Sequence, residues 1–339
     1  MAFEKDLRIA VLGASGLLGT ELLQVLETER FPVKELIALG RESAAGDSLW
    51  FGGEEIDILD RVPVLSDLDL IFLCAPPEVS LVLTREALQE GVPCIDLSGA
   101  VAGTSEVPLL YSGVEVSQEA LHSPLMATPG GPALVWAPIL SVLREKLGLR
   151  RVSGTLLESA GGEGRKGVAA LSGESLALFN QSELPKPDLF GKALAFDCLP
   201  AVGEVADSHE NACEARLTNE LKRLLGEDLT IAVSAVRVPT FAGQGSALTV
   251  ELSPDTSLES LLAVLDEAPG LSLYAKEDEP SEPGPSLRDA AGRDEVLLGR
   301  VRPDPSAEGS FLLWAVADPI RLAAVNAVEL AMERFLRES

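Results

Sequence analysis

The sequence predicts a two-domain α/β protein. A nucleotide-binding domain on a parallel sheet comes first, and an α+β domain with a mostly antiparallel sheet follows. Three observations carry this prediction. Short apolar runs alternate with helical segments in the first part of the chain, as in a parallel sheet covered on both faces. A turn punctuated by Gly13, Gly16 and Gly19 separates the first run from the first helical segment. Beyond Arg150 several runs alternate apolar and polar residues, as strands with one covered face do.

The elements follow in order. Leu7 to Leu12 reads as a buried strand, and Leu17 to Glu27 as a helix with Leu18, Leu22, Leu23 and Leu26 at helical spacing. Leu36 to Leu39, Leu68 to Ala75 and Val92 to Leu97 read as further strands of the same sheet, which runs to about Thr128. In the second domain the strands are Arg151 to Ser159, Thr230 to Val238, Ser246 to Leu252, Glu295 to Val301 and Phe311 to Val316. Lys276 to Pro285, rich in Glu, Asp and Pro, reads as an exposed loop. Pro319 to Arg337 reads as a helix, with Leu322, Val325, Ala327, Val328, Leu330 and Ala331 at helical spacing.

Composition bounds the function. A chain of 339 residues fits about two domains, and 46% hydrophobic residues suffice for two buried cores. The net charge of −26 repels phosphate backbones and anionic lipid, which argues against nucleic-acid and membrane partners. Cys74, Cys94, Cys198 and Cys213 form no C-x-x-C pair, and His122 and His209 are the only histidines, so neither a metal site nor a disulfide framework is expected. The acidic start of the chain is not a signal peptide, and no apolar run is long enough to span a bilayer. The expected location is the cytoplasm.

The glycine turn sits where a Rossmann-like domain binds a dinucleotide. Glycines let a pyrophosphate approach the backbone, and the N-terminus of the next helix offers it free N–H groups. Gly13, Ser15, Gly16, Leu17 and Leu18 are the candidate contacts. The spacing is G-x-x-G-x-x-G rather than G-x-G-x-x-G, so position between strand and helix carries the assignment. No acidic residue ends the second strand to take a ribose 2′-OH. Arg41 and Ser43 suit a 2′-phosphate instead, pointing to NADP, with NAD as the alternative.

Several stretches in one order resemble the aspartate-semialdehyde dehydrogenases. They are IAVLGASGLLG (Ile9 to Gly19), CIDLSGA (Cys94 to Ala100), ESAGGEG (Glu158 to Gly164), FDCLPAVGE (Phe196 to Glu204), AVRVPTFAGQGS (Ala235 to Ser246), AAGRDEVLLGRVRPD (Ala290 to Asp304) and LWAVADPIRLAAVNAVELA (Leu313 to Ala331). Within that family the chain is most similar to the Usg-type paralogues, which keep the fold and lack active-site residues. The resemblance implies an NAD(P)-binding domain over residues 1–129 plus 319–339, and a dimerisation and substrate domain over 130–318. It also implies a homodimer, and cofactor contacts from Ser98 and Gly162. Pro76 and Pro77 replace two glycines usual in the family and remove two N–H donors beside the expected cofactor.

In the family reaction a cysteine thiolate attacks an aldehyde, a hydride passes to NADP, phosphate releases the thioester, and a histidine handles the thiol proton. The matching positions here are altered. In ATPGGP (Ala127 to Pro132), Gly131 stands at the cysteine position and Gly130 at an asparagine. Gln244 stands at the histidine, Glu158 at an orienting glutamine and Ala102 at a phosphate-binding arginine. In NACEARLTNELK (Asn211 to Lys222), Cys213 or, one register over, Glu214 stands at a substrate-binding glutamate, and Arg216 at a lysine. Arg216 and Arg237 survive as cations able to hold a carboxylate or phosphate, although Arg237 reads equally as a satisfied strand residue. Cys198 and Cys213 are the remaining thiols of the second domain, and His209 precedes Cys213 by one helical turn.

Two functions are consistent with these residues. One is a non-catalytic paralogue that binds NADP, with an unidentified small ligand or a protein partner. The other is an active NAD(P)-dependent oxidoreductase acting on an aldehyde or oxo group in amino-acid biosynthesis by a changed mechanism.

Overall fold

The computed structural model describes residues 6–41, 44, 46–61, 64–274 and 284–335. They form two compact units: the residues through Gly130 together with those from Ala323 onward, and Gly131–Leu322. Ser43 and most of the expected acidic loop, residues 275–283, lie outside the described residues.

In the first unit the chain runs through β1 (Leu7–Leu12), α1 (Leu17–Thr28), β2 (Val33–Leu39), β3 (Ser48–Phe51) and β4 (Glu54–Leu59). It continues through β5 (Leu70–Leu73), α2 (Pro77–Gln89), β6 (Cys94–Asp96), α3 (Gln118–Leu121) and β7 (Leu125–Ala127). The strands make a seven-stranded sheet in the order β3-β4-β2-β1-β5-β6-β7. Every pairing is parallel except the β3–β4 hairpin, which turns at Gly52-Gly53. The central strands are continuous apolar runs because both faces are covered: all of Leu70–Leu73 is buried. Leu22 and Leu26 of α1 share one core with Ile9, Val11 and Phe72 of the sheet and with Ala324 and Val328 near the C-terminus.

The second unit holds α4 (Gly131–Leu147), β8 (Arg151–Glu158), α5 (Gly164–Phe179), α6 (Ala212–Leu225), β9 (Thr230–Arg237) and β10 (Gln244–Glu251). Then come α7 (Leu258–Asp266), β11 (Leu271–Leu273), β12 (Val296–Pro303), β13 (Ser310–Ala317) and the first residues of α8 (Pro319–Phe335). The six-stranded sheet has the order β11-β12-β13-β10-β8-β9. It is mixed: the three inner pairings are antiparallel, while β9 joins β8 and β11 joins β12 in parallel. The parallel edges arise because neither partner is reached by a hairpin: β9 follows β8 through α5 and α6, and a long connection separates β11 from β12.

α4 is the central helix of this unit. Ala133 through Leu140 are all buried, so the helix shows no polar stripe for periodicity to reveal. Its Trp136 donates to the Ser246 hydroxyl of β10 at 2.9 Å, fixing the helix over that strand. Among the described residues no helix is long and apolar enough to cross a membrane.

Candidate functional site

In the first unit the strand ends converge on the glycine turn. β1 lies between β2 and β5, so the strand order reverses beside it, the usual crevice for a ligand at the carboxyl ends of parallel strands. Gly13 has φ +86°, and a Cβ there would lie 2.9 Å from the backbone of Cys74 and Ala75. A Cβ at Gly19 would come 2.2 Å from the Gly13 carbonyl. Both glycines are therefore required by close backbone approach. Gly16 is the N-cap of α1, no side chain caps the helix, and no acidic residue stands in its first turn. The N–H groups at the start of this helix are of the kind that could hold an anion.

Arg41 stands exposed just past the end of β2. Ser98 follows β6, and its N–H and hydroxyl both donate to Asp96, whose other oxygen accepts from Val101 at 3.0 Å. Ser98 therefore shapes its own loop. Pro76 is the N-cap of α2 and Pro77 its first residue. That is where a missing N–H costs the helix nothing.

In the second unit, Arg237, Glu158, Gln244 and Ala317 are register partners on β9, β8, β10 and β13. Their side chains leave one face in a row, about 5 Å apart at Cβ. Ser246, two residues from Gln244, lies on the same face, the face that α4 covers through Trp136. Arg237 is 3% exposed, Glu158 6% and Gln244 0%. Both polar atoms of the Gln244 amide and the Thr240 hydroxyl are buried with no hydrogen-bond partner among the described residues. The turn Ala160–Glu163 lies against the row: a Cβ on Gly162 would come 2.9 Å from Glu158 Oε2 and 3.0 Å from Arg237 Nη1. Gly162 is thus placed in the second unit, beside the expected substrate residues.

Both surviving arginines are already paired. Arg237 donates to the Ser159 carbonyl at 2.8 Å and to Glu163 at 2.6 Å, and stacks over Phe190 at 5.3 Å. Arg216 pairs with the buried Glu220 at 2.6 Å. Glu163 was not singled out from the sequence, although it lies in ESAGGEG one residue past Gly162. Burial pushes the Glu158 carboxyl up to about 7; Arg237 opposes this and Glu163 reinforces it. Burial outweighs the attraction of Arg237, which Glu163 shares.

Asn211 and Glu214 form a capping box on α6, and Glu214 also accepts from the Ala235 amide at 2.8 Å. Glu214 is thereby committed to the backbone, and Cys213 is the residue whose thiol is coupled to Glu158 and Arg237. Burial, then the charge of Glu158, push that thiol up to about 12. It stays protonated at neutral pH and is a poor nucleophile. His209 and Cys213 do not share a helix face. Asn211 starts α6 after His209, which sits in a turn at φ +65°. Cys198 is exposed.

Gly131 is the first residue of α4. A Cβ there would lie 2.6 Å from Cβ of Pro319, two residues beyond Ala317, the last member of the row. The space a side chain would need at 131 is occupied. Among the described residues no group of three or more His, Cys, Asp or Glu side chains is placed to hold a metal ion.

Comparison with known proteins identifies this architecture. Residues 8–123 match the family model for the semialdehyde dehydrogenase NAD binding domain, and residues 140–322 match that for the semialdehyde dehydrogenase dimerisation domain. Aspartate-semialdehyde dehydrogenase of Prochlorococcus marinus is 30% identical over 97% of this chain and 96% of its own. Among solved structures, Vibrio cholerae aspartate semialdehyde dehydrogenase II, complexed with ASA, superposes with a TM-score of 0.91 at 27% identity over 99% of both chains. A probable aspartate-semialdehyde dehydrogenase from Pseudomonas aeruginosa superposes with a TM-score of 0.89 at 30% identity, over 97% of this chain and 98% of that one. The chain belongs to the aspartate-semialdehyde dehydrogenase family, with its NAD(P)-binding domain followed by the family's dimerisation domain.

Proposed function

We propose that this chain is a Usg-type, non-phosphorylating member of the family that binds NADP in the domain formed by 1–129 and 319–339 but does not run the thioester reaction in the domain 130–318. The observation that carries this is Gly131 packed against Pro319, with Gln244 in place of a base. Nucleophile, base and phosphate-binding arginine act as one unit, so loss of all three is not repaired by what remains. Gly13, Ser15, Gly16, Leu17 and Leu18 receive the pyrophosphate, Arg41 and Ser43 the 2′-phosphate, and Ser98 completes the first domain's cofactor contacts. That assignment is supported by the uncapped start of α1 and the absence of an acidic residue at the end of β2. The protein works in the cytoplasm.

The test is a turnover assay on pure protein from a host lacking its own aspartate-semialdehyde dehydrogenase. It follows NADPH formation from aspartate semialdehyde, NADP and phosphate, alongside calorimetric titration of NADP. Binding without turnover is the expected result. Arg41→Glu should weaken NADP by about tenfold or more while changing NAD much less, since it exchanges attraction for repulsion at one phosphate. Equal effects on both nucleotides would remove the 2′-phosphate assignment.

A second function is favoured by Glu158. A buried carboxyl with its pKa at about 7 is poised as a general base. It would serve an oxidoreductase acting on an aldehyde or oxo group by direct hydride transfer. Turnover independent of phosphate, lost in Glu158→Gln, would establish it.

We further propose a homodimer through an exposed apolar patch on the second unit. Phe179 and Phe196 are 74% and 67% exposed and meet edge to face at 5.6 Å, with Leu176 nearby on α5 also exposed. Phe179→Glu should yield monomers in sedimentation at concentrations where the parent is dimeric. Where the parent itself is monomeric, the patch serves a different protein partner.

A further inference from the structure

We infer that the row of Arg237, Glu158 and Gln244 receives a small uncharged carbonyl compound with a neighbouring N–H or O–H, a primary carboxamide being the simplest, and does not receive an anion. The inference rests on the reading that this member of the family keeps a ligand in its second domain after losing the thioester chemistry.

Charge decides the first half. Each arginine that could attract an anion has its own carboxylate: Arg237 has Glu163 at 2.6 Å and Arg216 has Glu220 at 2.6 Å. Glu158 adds a third carboxyl, between Arg237 and Gln244 in the row. Neither arginine therefore brings a surplus positive charge to the row. An incoming carboxylate or phosphate would have to displace Glu163 from Arg237 and sit beside Glu158, with both charges out of water.

Hydrogen bonding decides the second half. The Gln244 amide is fully buried, and among the described residues neither its nitrogen nor its oxygen has a partner. Leaving such groups unmet is costly, so native structures rarely keep them without a reason. An amide presents donor and acceptor side by side in one plane. Its complement is a planar group with acceptor and donor side by side, which a carboxamide offers as two parallel hydrogen bonds. A carboxylate offers only acceptors and leaves the Gln244 oxygen unpaired. An ammonium offers only donors and leaves the nitrogen unpaired. Glu158, protonated up to about pH 7, can both donate to and accept from the same ligand.

Entry requires the turn Ala160–Glu163, which lies against the row, to shift. Gly161, Gly162 and Gly164 give it few side chains to unpack, and Gly164 already has φ +66°.

The experiment uses the full chain with 15N-labelled glutamine and glycine, titrated with the probes below and, separately, with NADP. The Gln244 side-chain NH2 resonance is assigned by its loss in Gln244→Met, which replaces the unpaired amide by an apolar chain of similar length. Propionamide, propionate, inorganic phosphate and ethylammonium are titrated separately at pH 8. Propionamide should shift the resonance saturably, with propionate and phosphate weaker by about tenfold or more. Glu158→Gln should narrow the gap between propionamide and propionate, because the repelling charge is gone. The inference is overturned if propionate or phosphate binds as well as propionamide, if ethylammonium binds best, or if no probe moves the resonance. In the same samples the backbone amides of Gly13 and Gly16 report NADP. Their silence beside a responding Gln244 would sink nucleotide binding and leave the ligand class standing, and the reverse pattern would do the opposite.

Discussion

Gly131→Cys should not restore phosphate-dependent turnover, and it should destabilise the protein by roughly 1–3 kcal/mol, the usual cost of overpacking. The added Cβ would lie 2.6 Å from Cβ of Pro319, well inside contact distance. Pro319 cannot swing away, because its Cβ belongs to a rigid ring and its backbone opens α8. Even a thiol accommodated there would meet the Gln244 amide at the histidine position, with Glu158 one strand further along the row. The contact can be isolated by a double-mutant cycle read from urea midpoints. In a Pro319→Gly background the blocking Cβ is gone, so adding Gly131→Cys should cost much less than it does alone. An unchanged cost in both backgrounds would show that Pro319 is not the obstacle. Detectable NADPH formation from aspartate semialdehyde, NADP and phosphate in the single variant would overturn the claim that the chemistry is lost.

Much of the fold was legible because each signal had one meaning. β1, the glycine turn and α1 announce themselves through a buried run, φ-demanding glycines and leucines at helical spacing. β8, β9, β10, β12 and β13 fall within a few residues of their sequence bounds. The parallel edges of the second sheet were not legible, since strand pairing depends on which elements lie between partners and not on the strands' own residues. α4 escaped because Ala133 through Leu140 are buried on every side. The β3–β4 hairpin escaped because it is short and carries an exposed Trp50 in place of a clean alternation. At the site, the odd residues Gly131, Glu158 and Gln244 could be named from the family resemblance of the stretches that hold them. Their partners could not. Glu163 reaches Arg237 across a turn, and Pro319 meets Gly131 from the far end of the unit's sequence. Such pairings are products of tertiary structure.

Glu158→Gln should make the protein more stable than its parent, by an amount that grows as pH rises from about 4.5 to about 7 and then stays constant. The unfolded carboxyl ionises at its ordinary value of 4.5, while the folded one keeps its proton to about 7. At pH below both values the folded and unfolded chains are equally protonated, and Glu158 contributes no pH dependence. Between them the unfolded chain has released the proton and the folded chain has not, so the unfolded state is favoured increasingly as pH rises. Above both values the chains are equally ionised and the slope ends. A gap of this size corresponds to roughly 3 kcal/mol, an upper figure for one buried group. Because both proteins share every other titrating group, subtracting their urea midpoints at each pH leaves the contribution of residue 158. The groups that set the shift are named by the fold: burial under α4, Arg237 on β9 lowering, and Glu163 in the adjoining turn raising. Arg237→Met should therefore push the carboxyl higher still, and Glu163→Gln should let it fall. A 13C titration of the Glu158 carboxyl reads these shifts directly. A midpoint near 4.5 in the parent would mean that Arg237 neutralises Glu158 despite its bond to Glu163. The row would then carry a fixed ion pair, and neither general-base chemistry at neutral pH nor a protonated Glu158 facing a ligand would stand.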